Sequence, residues 1–266
     1  MESNCQNCNT LILNNFCDNC GQKKFKKIDK KYITDELQYT FLHTNKGFLY
    51  SVKNLIKNPG KTARAFIDGN RVNHYKPILL VFLLSGISAF ISFKVIGLKE
   101  IMSAYYSRAS LNSQFMNDYL TFTASYNSVI MLLSVPIFAI TTKLAFKKWG
   151  HNYYEHVVIN AYILSFYTLY TIIIVSPIIY IFRDNIDFVT TISSLSMLAT
   201  PFILVWFFKE FYSDRQLKTI IARVMLTIGI LGALFFLLMI IIVVILIIYT
   251  FLNGPEALKY MQPQQR

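Results

Sequence analysis

Five stretches of this chain carry no Asp, Glu, Lys or Arg: residues 77–93, 119–142, 157–182, 188–208 and 224–255. A helix crosses the hydrocarbon of a bilayer with about 20 apolar residues, so the pattern predicts five transmembrane helices. The first stretch is short, but Val95, Ile96 and Leu98 carry it past Lys94, whose amine can snorkel to the interface. The fifth is longer than a bilayer needs and is expected to tilt or to run past the hydrocarbon. No cleavable leader is expected, since the chain opens polar and its first apolar run begins at Pro77.

Ahead of the spans, Phe48, Leu49, Val52, Leu55 and Ile56 recur with helical spacing. They predict a helix with one apolar stripe that stops at Pro59-Gly60. Lys46, Lys53 and Lys57 lie off the stripe, which suits either a helix lying on the membrane surface or one packed against the inner ends of the spans. A second short helix is expected over 62–67, with a break at Gly69. Pro136, Pro177 and Pro201 fall inside spans two, three and four. Each removes a helix hydrogen bond, so a kink is expected at each, with the hydroxyls of Ser134, Ser176 and Thr200 close to the freed carbonyls. The 94–118 segment has room for structure of its own, and the tight 183–187 link predicts an antiparallel hairpin of spans three and four.

Composition agrees with this pattern: 54% of the 266 residues are hydrophobic and only 15% charged. The distribution of charge adds orientation. With the N-terminus inside, the inner segments (1–76, 143–156, 209–223) hold 20 Lys and Arg and the outer ones (94–118, 183–187, 256–266) hold 6. Positive residues favour the cytoplasmic side, so an N-in, C-out arrangement is expected. The net charge of +12 is then mainly a cytosolic surface, for which anionic lipid headgroups are the nearest partner. The run Lys23–Lys31 has six lysines in nine residues. Tethered to five spans, it reads as a linker lying on acidic lipid in preference to a nucleic-acid arm.

All four cysteines lie in the first twenty residues, as Cys5-x2-Cys8 and Cys17-x2-Cys20. Two such turns facing each other supply the four tetrahedral thiolates of a structural zinc site. Each pair is followed by a residue that tolerates positive φ, Asn9 or Gly21. Leu11, Ile12, Leu13 and Phe16 offer a small apolar face. So short a unit has little core, and metal binding would supply most of its folding energy. The alternatives are an iron or redox centre and a disulfide framework; the last belongs to an oxidising compartment, whereas the charge bias places this tail in the cytosol. Four thiolates leave no open coordination position, so the ion would be structural.

Candidate chemistry elsewhere is sparse. Glu155 and His156 open span three, with Asn160 one turn on, and suit general acid–base work at the lipid–water boundary. Arg71, His74 and Lys76 lead into span one and suit an anionic headgroup or phosphate. Against these stand simpler roles: Glu155 complementing the helix dipole, and cations following the inside rule. Span three is the most polar, with Asn160, Tyr162, Ser165, Tyr167, Thr168, Tyr170 and Thr171. No carboxylate lies in a span core, which argues against a pump built on a buried acid.

The Cys-x2-Cys pair, Phe16-Cys17-x2-Cys20-Gly21, Pro59-Gly60, Gly69-x-Arg71 ahead of Pro77, and Tyr154-Glu155-His156 together resemble a bacterial family known as domain-of-unknown-function family 3667. The likeness covers most of residues 1–165, with His74 standing where an aromatic is expected. It implies a bacterial inner-membrane protein and no established activity. The ribbon is similar to small zinc ribbons that serve as interaction or capping modules. The expected architecture is an all-α polytopic membrane protein with about five transmembrane helices and a small four-cysteine zinc ribbon. Its parts are a ribbon (1–22), a basic cytosolic linker and helical collar (23–76), the transmembrane domain (77–252) and a short tail (253–266). The expected function is a non-enzymatic transport, assembly or regulatory component with a cytosolic protein partner at the ribbon. The alternative is an interfacial enzyme acting on a lipid or lipid-linked substrate through Glu155 and His156.

Overall fold

The computed structural model describes residues 3–5, 7–21, 47–254, 260 and 262–263. The basic linker Lys23–Lys31, the first part of the collar with Lys46, and most of the tail after Gly254 lie outside them. The chain divides into two compact units, Met1–Phe48 and Leu49–Arg266.

In the first unit, β1 (Ser3–Asn4) pairs antiparallel with β2 (Leu11–Ile12). Alternation along β2 puts Ile12 inside against Cys5 and Cys17 and leaves Leu11, Leu13 and Phe16 exposed. The apolar face of the ribbon is therefore divided, one residue in and three out.

The second unit is helical. It opens within α1 (Gly47–Lys57), whose first two residues belong to the first unit, and α2 (Pro59–Ile67) follows. Pro59-Gly60 does not merely end α1: Pro59 occupies the first turn of α2, where a missing N–H costs nothing, and Asn58 Oδ1 caps it by accepting from the Lys61 amide at 2.9 Å. On α1 the buried side is Ser51 and Leu55, with Val52 half-buried, whereas Leu49 is 76% and Ile56 48% exposed. The apolar stripe read from the sequence is thus split between two faces. Leu49, Lys53, Ile56 and Lys57 share the outer one, spaced i, i+4, i+7 and i+8.

Five helices long and apolar enough to cross a membrane follow: Pro77–Val95, Gln114–Ala145, Tyr153–Ile181, Ile186–Phe211 and Leu217–Leu252. Three of them contain an uncharged stretch whole, and the third and fifth contain all but the last one and the last three residues of theirs. Span one is α3 (Pro77–Ala89) continued by a π-helical turn, Phe90–Val95. The segment between spans one and two contains α4 (Leu98–Arg108), and span two is α5 (Gln114–Ala145). Span three is α6 (Tyr153–Tyr170), a π turn (Thr171–Val175) and α7 (Ser176–Ile181). Span four is α8 (Ile186–Leu198) and α9 (Thr200–Phe211), and span five is α10 (Leu217–Asn253).

Two of the three expected proline interruptions occur at the prolines. Pro177 cannot donate to the Ile173 carbonyl, and the turn before it widens to π geometry; in span four a single residue, Ala199, separates α8 from α9 just before Pro201 while keeping helical angles (φ −70°, ψ −21°). Span two runs helical through Pro136 and departs from helical angles at Tyr126 instead (φ −111°, ψ 16°). Val135 and Ala139, on either side of Pro136, are both buried. The Ser134 hydroxyl donates to the Met131 carbonyl, one short of the carbonyl that Pro136 frees.

Span three is the centre of the bundle. Half of its most apolar window is buried, compared with none of that of span five. Val81 of span one, Val135 of span two and Ala161 and Leu164 of span three form one core. Ile96, Val175, Ile179 and Val189 form a second, toward the other end. Spans three and four meet where Phe166 stands edge-to-face with Trp206 at 5.4 Å, as their tight link requires. Span five packs through Ile220, Val224 and Thr227, and Arg223 Nη1 donates to the Ala145 carbonyl at 3.0 Å. From Leu234 to Leu252 its large apolar side chains are exposed or nearly so. Its 36 residues reach about 54 Å at the helical rise, well beyond the hydrocarbon thickness of ~30 Å.

Candidate functional site

The four-cysteine cluster is assembled by two turns of the same kind. Cys5 lies just past β1, where its amide donates to the Thr10 carbonyl and its carbonyl accepts from the Asn9 amide. In the second turn the Cys17 carbonyl accepts from the Gly21 amide. Asn9 and Gly21 both take positive φ, 58° and 72°, as the sequence required for the chain to curl back over the sulfurs. Cys5 and Cys20 Sγ are 3.5 Å apart, as are Cys8 and Cys17 Sγ, and all four lie within 4.8 Å of one another. Four thiolates at about 2.3 Å from a tetrahedral Zn²⁺ stand about 3.8 Å apart, so the residues fit such an ion. None of the cysteines is disulfide-bonded.

The thiols do not ionise equally. Hydrogen bonding to Thr10, first by its side chain and then by its backbone, pulls Cys8 down to about 6. Cys17 is driven up to about 11: the Cys20 amide favours its thiolate, but desolvation and the neighbouring Cys8 and Cys20 sulfurs outweigh this. The Cys8 thiolate forms readily and Cys17 resists following, a conflict that a bound cation removes.

At the head of span three, Asn152 and Glu155 form a capping box. Asn152 Oδ1 accepts from the Glu155 amide at 2.9 Å, and Glu155 Oε2 accepts from the Asn152 amide at 2.7 Å. His156, the next residue, turns the other way into the bundle and is fully buried. Its Nδ1 lies 3.0 Å from the Thr142 hydroxyl, which also accepts from Asn160 Nδ2 at 2.7 Å. Glu155 and His156 therefore do not face a common space.

The basic trio before span one separates as well. Arg71 is exposed, its Nε donating to the Phe66 carbonyl at 3.3 Å and its guanidinium lying 5.7 Å from the Phe66 ring centroid. His74 is buried beside the rings of Tyr50, Phe66 and Tyr162 at 5.1, 6.2 and 6.5 Å. Lys76 is exposed at the start of span one. What the fold does bring together is Arg71 and Glu155. Both line a groove of about 300 Å³ between α2 and α6, with Phe66, Ile67, Asn152, Tyr154 and Val158.

Two groups of residues were not singled out by the sequence. Glu210, at the end of span four, accepts from Asn58 Nδ2 at 2.8 Å and pairs with Lys61 at 3.3 Å, tying α2 to α9. Phe146 stacks on Phe208 at 4.3 Å beside Trp149 and Tyr212, and the Tyr212 hydroxyl lies 3.1 Å from His151 Nδ1. No spacing rule links partners so far apart in the chain. His74 Nδ1 and, along span three, the Tyr162 hydroxyl, His156 Nε2 and the Ser165 hydroxyl are buried with no hydrogen-bond partner among the described residues. Small buried waters are the usual partners of such atoms.

Burial pushes His74 below the usual imidazole range, and His151 likewise. A folded state that holds His74 neutral loses stability as pH falls below the unfolded value of about 6.5, because only the unfolded chain takes up the proton. His74→Phe fills the same aromatic surroundings without titrating. Between pH 7.5 and 5.5 the thermal midpoint of the detergent-solubilised protein is expected to fall less in this variant than in wild type. Equal falls would show that His74 is already protonated when folded.

Five helices long and apolar enough to cross a bilayer are compatible with a multi-pass helical membrane protein, and its four thiols lie at metal-binding distance. Residues 45–89 match a family described as protein of unknown function (DUF3667). The matched segment contains Pro59-Gly60, Gly69-x-Arg71 and most of span one; the ribbon and Tyr154-Glu155-His156 lie outside it. Neither the curated proteins nor the solved structures contain a match.

Proposed function

We propose that this chain is a bacterial inner-membrane protein with its N-terminus in the cytosol. Its ribbon holds a structural Zn²⁺ and serves as a docking module for a cytosolic protein, in a non-enzymatic transport, assembly or regulatory role. The observation that carries this reading is the ribbon itself: a closed set of four thiols and a single inward apolar residue, with Leu11, Leu13 and Phe16 exposed at 43%, 65% and 55% on a unit of some twenty residues. Exposed apolar side chains on a rigid metal-held scaffold favour protein contact. The outer face of α1 pairs Leu49 and Ile56 with Lys53 and Lys57, which suits contact with anionic lipid. Nucleic acid is a weaker partner for a basic surface fixed to a membrane. An enzyme acting on lipid through Glu155 and His156 is less well supported, because one is a surface cap and the other is buried against Thr142.

Since every cysteine lies in the ribbon, the thiols report its side of the membrane. After metal chelation, a membrane-impermeant maleimide is expected to label permeabilised cells strongly and intact cells not at all. Labelling of intact cells would place the ribbon outside and overturn the orientation.

A further inference from the structure

The groove between α2 and α6 holds one cation and one anion that do not neutralise each other. Arg71 and Glu155 both line it, yet no ion pair joins them among the described residues. Each is held in place by something else. Arg71 is fixed by its Nε bond to the Phe66 carbonyl and by the Phe66 ring, which leaves its terminal N–H groups for a ligand. Glu155 is fixed by the capping box through Oε2, which leaves Oε1. Such orientation costs a ligand little on binding.

We infer that this groove binds a phosphoethanolamine group, the zwitterionic headgroup of an aminophospholipid, with Arg71 on the phosphate and Glu155 on the ammonium. The volume, about 300 Å³, is at the small end for ligand sites and suits a headgroup in preference to a whole lipid. A purely anionic headgroup would meet the Glu155 carboxylate with no compensating charge of its own. A quaternary ammonium would offer Glu155 no N–H donor. Phe66, Ile67 and Val158 supply an apolar wall on which glycerol and the first acyl carbons can rest, and Tyr154, 77% exposed, adds an amphipathic ring at the mouth. The inference rests on the proposed function only in setting the groove at a lipid–water boundary. Headgroup preference is measured in detergent, where it is independent of which end of the chain is cytosolic.

The full chain, purified in mild detergent, is exposed to equal amounts of short-chain phosphatidylethanolamine, phosphatidylglycerol and phosphatidylcholine, and the retained lipid is read by native mass spectrometry. Wild type is expected to retain phosphatidylethanolamine several-fold over the other two. Arg71→Ala should lower retention of phosphatidylethanolamine about tenfold, the scale of a lost charge-assisted contact. Glu155→Gln, whose amide still caps the helix, should keep phosphate binding and abolish the preference for ethanolamine over glycerol. Lys99→Ala, on α4, should change nothing. Free phosphoethanolamine is added as competitor: displacement at millimolar concentration assigns the site to the soluble compound as well, and no displacement assigns it to the lipid. A wild-type protein without headgroup preference, or an unchanged preference in Glu155→Gln, overturns the inference. Should Arg71→Ala fail to fold, Glu155→Gln alone decides.

Discussion

Replacing Cys17 by serine is expected to abolish metal binding by this chain. Wild type purified without chelator should carry about one zinc per chain, and Cys17→Ser a small fraction of that, read by elemental analysis against protein concentration. The size of the effect follows from how little else holds the ribbon. Its strands are two residues each, and its interior is Ile12 packed on the cysteines themselves. Serine offers no soft thiolate, and the three remaining sulfurs cannot close a tetrahedron. The amide of Asn7, 3.4 Å from Cys5 Sγ, then loses a metal-held thiolate as its acceptor. Hydrogen exchange in residues 3–21 should become fast, while the five spans still insert, because insertion depends on apolar length. Full zinc content in Cys17→Ser, or a metal-free wild type with a protected ribbon, would show that the four thiols are held by something other than a metal.

Gly60→Ala is expected to be the most damaging single-methyl change in the helical unit. A Cβ at this position would sit 2.3 Å from the Phe207 carbonyl oxygen, 2.7 Å from Glu210 Cβ and 2.9 Å from the Phe211 amide nitrogen. Two of these three are backbone atoms inside α9, so no rotamer change relieves the overlap and the helices must separate. The separation also loosens the Asn58 and Lys61 contacts with Glu210 and draws Arg64 away from the Phe211 ring, 5.6 Å distant. A cost of about 3 kcal/mol is the scale for overpacking a close contact of this kind. Gly229→Ala is the control: nothing lies within 4 Å of its Cβ, and alanine favours the helix. The thermal midpoint in detergent should drop by several degrees for Gly60→Ala and hold or rise for Gly229→Ala. A wild-type midpoint for Gly60→Ala would mean that α2 does not approach α9 this closely.

The family match gains a physical reading from Gly60. Pro59-Gly60 looked like a helix stop in sequence, and in the fold the proline starts α2 while the glycine lets it touch α9. The dipeptide signals a break because proline is a poor helix interior, yet proline at the first turn is compatible with a start. Local sequence alone does not separate the two. The α1 stripe fails for a related reason: five apolar positions at helical spacing show that a helix has an apolar side, but not which part of it the bundle covers. Leu49 and Ile56 lie outside because α1 buries its Ser51–Leu55 line.

By itself the sequence determined the five spans and the thiol cluster, since both depend on short-range physics. A bilayer selects uncharged helices by length, and Cys-x2-Cys turns need only one permissive residue, here Asn9 or Gly21, to aim two sulfurs at one point. Only the tertiary structure decided that His156 points into the bundle at Thr142, that Glu155 joins Arg71 in a groove, and that span two leaves helical angles at Tyr126 and not at Pro136. Those outcomes depend on which helix lies against which face. In a chain whose spans are apolar all round, no periodicity in the sequence marks the buried side; it is set by close fits such as that of Gly60 against Phe207, between residues far apart in the chain.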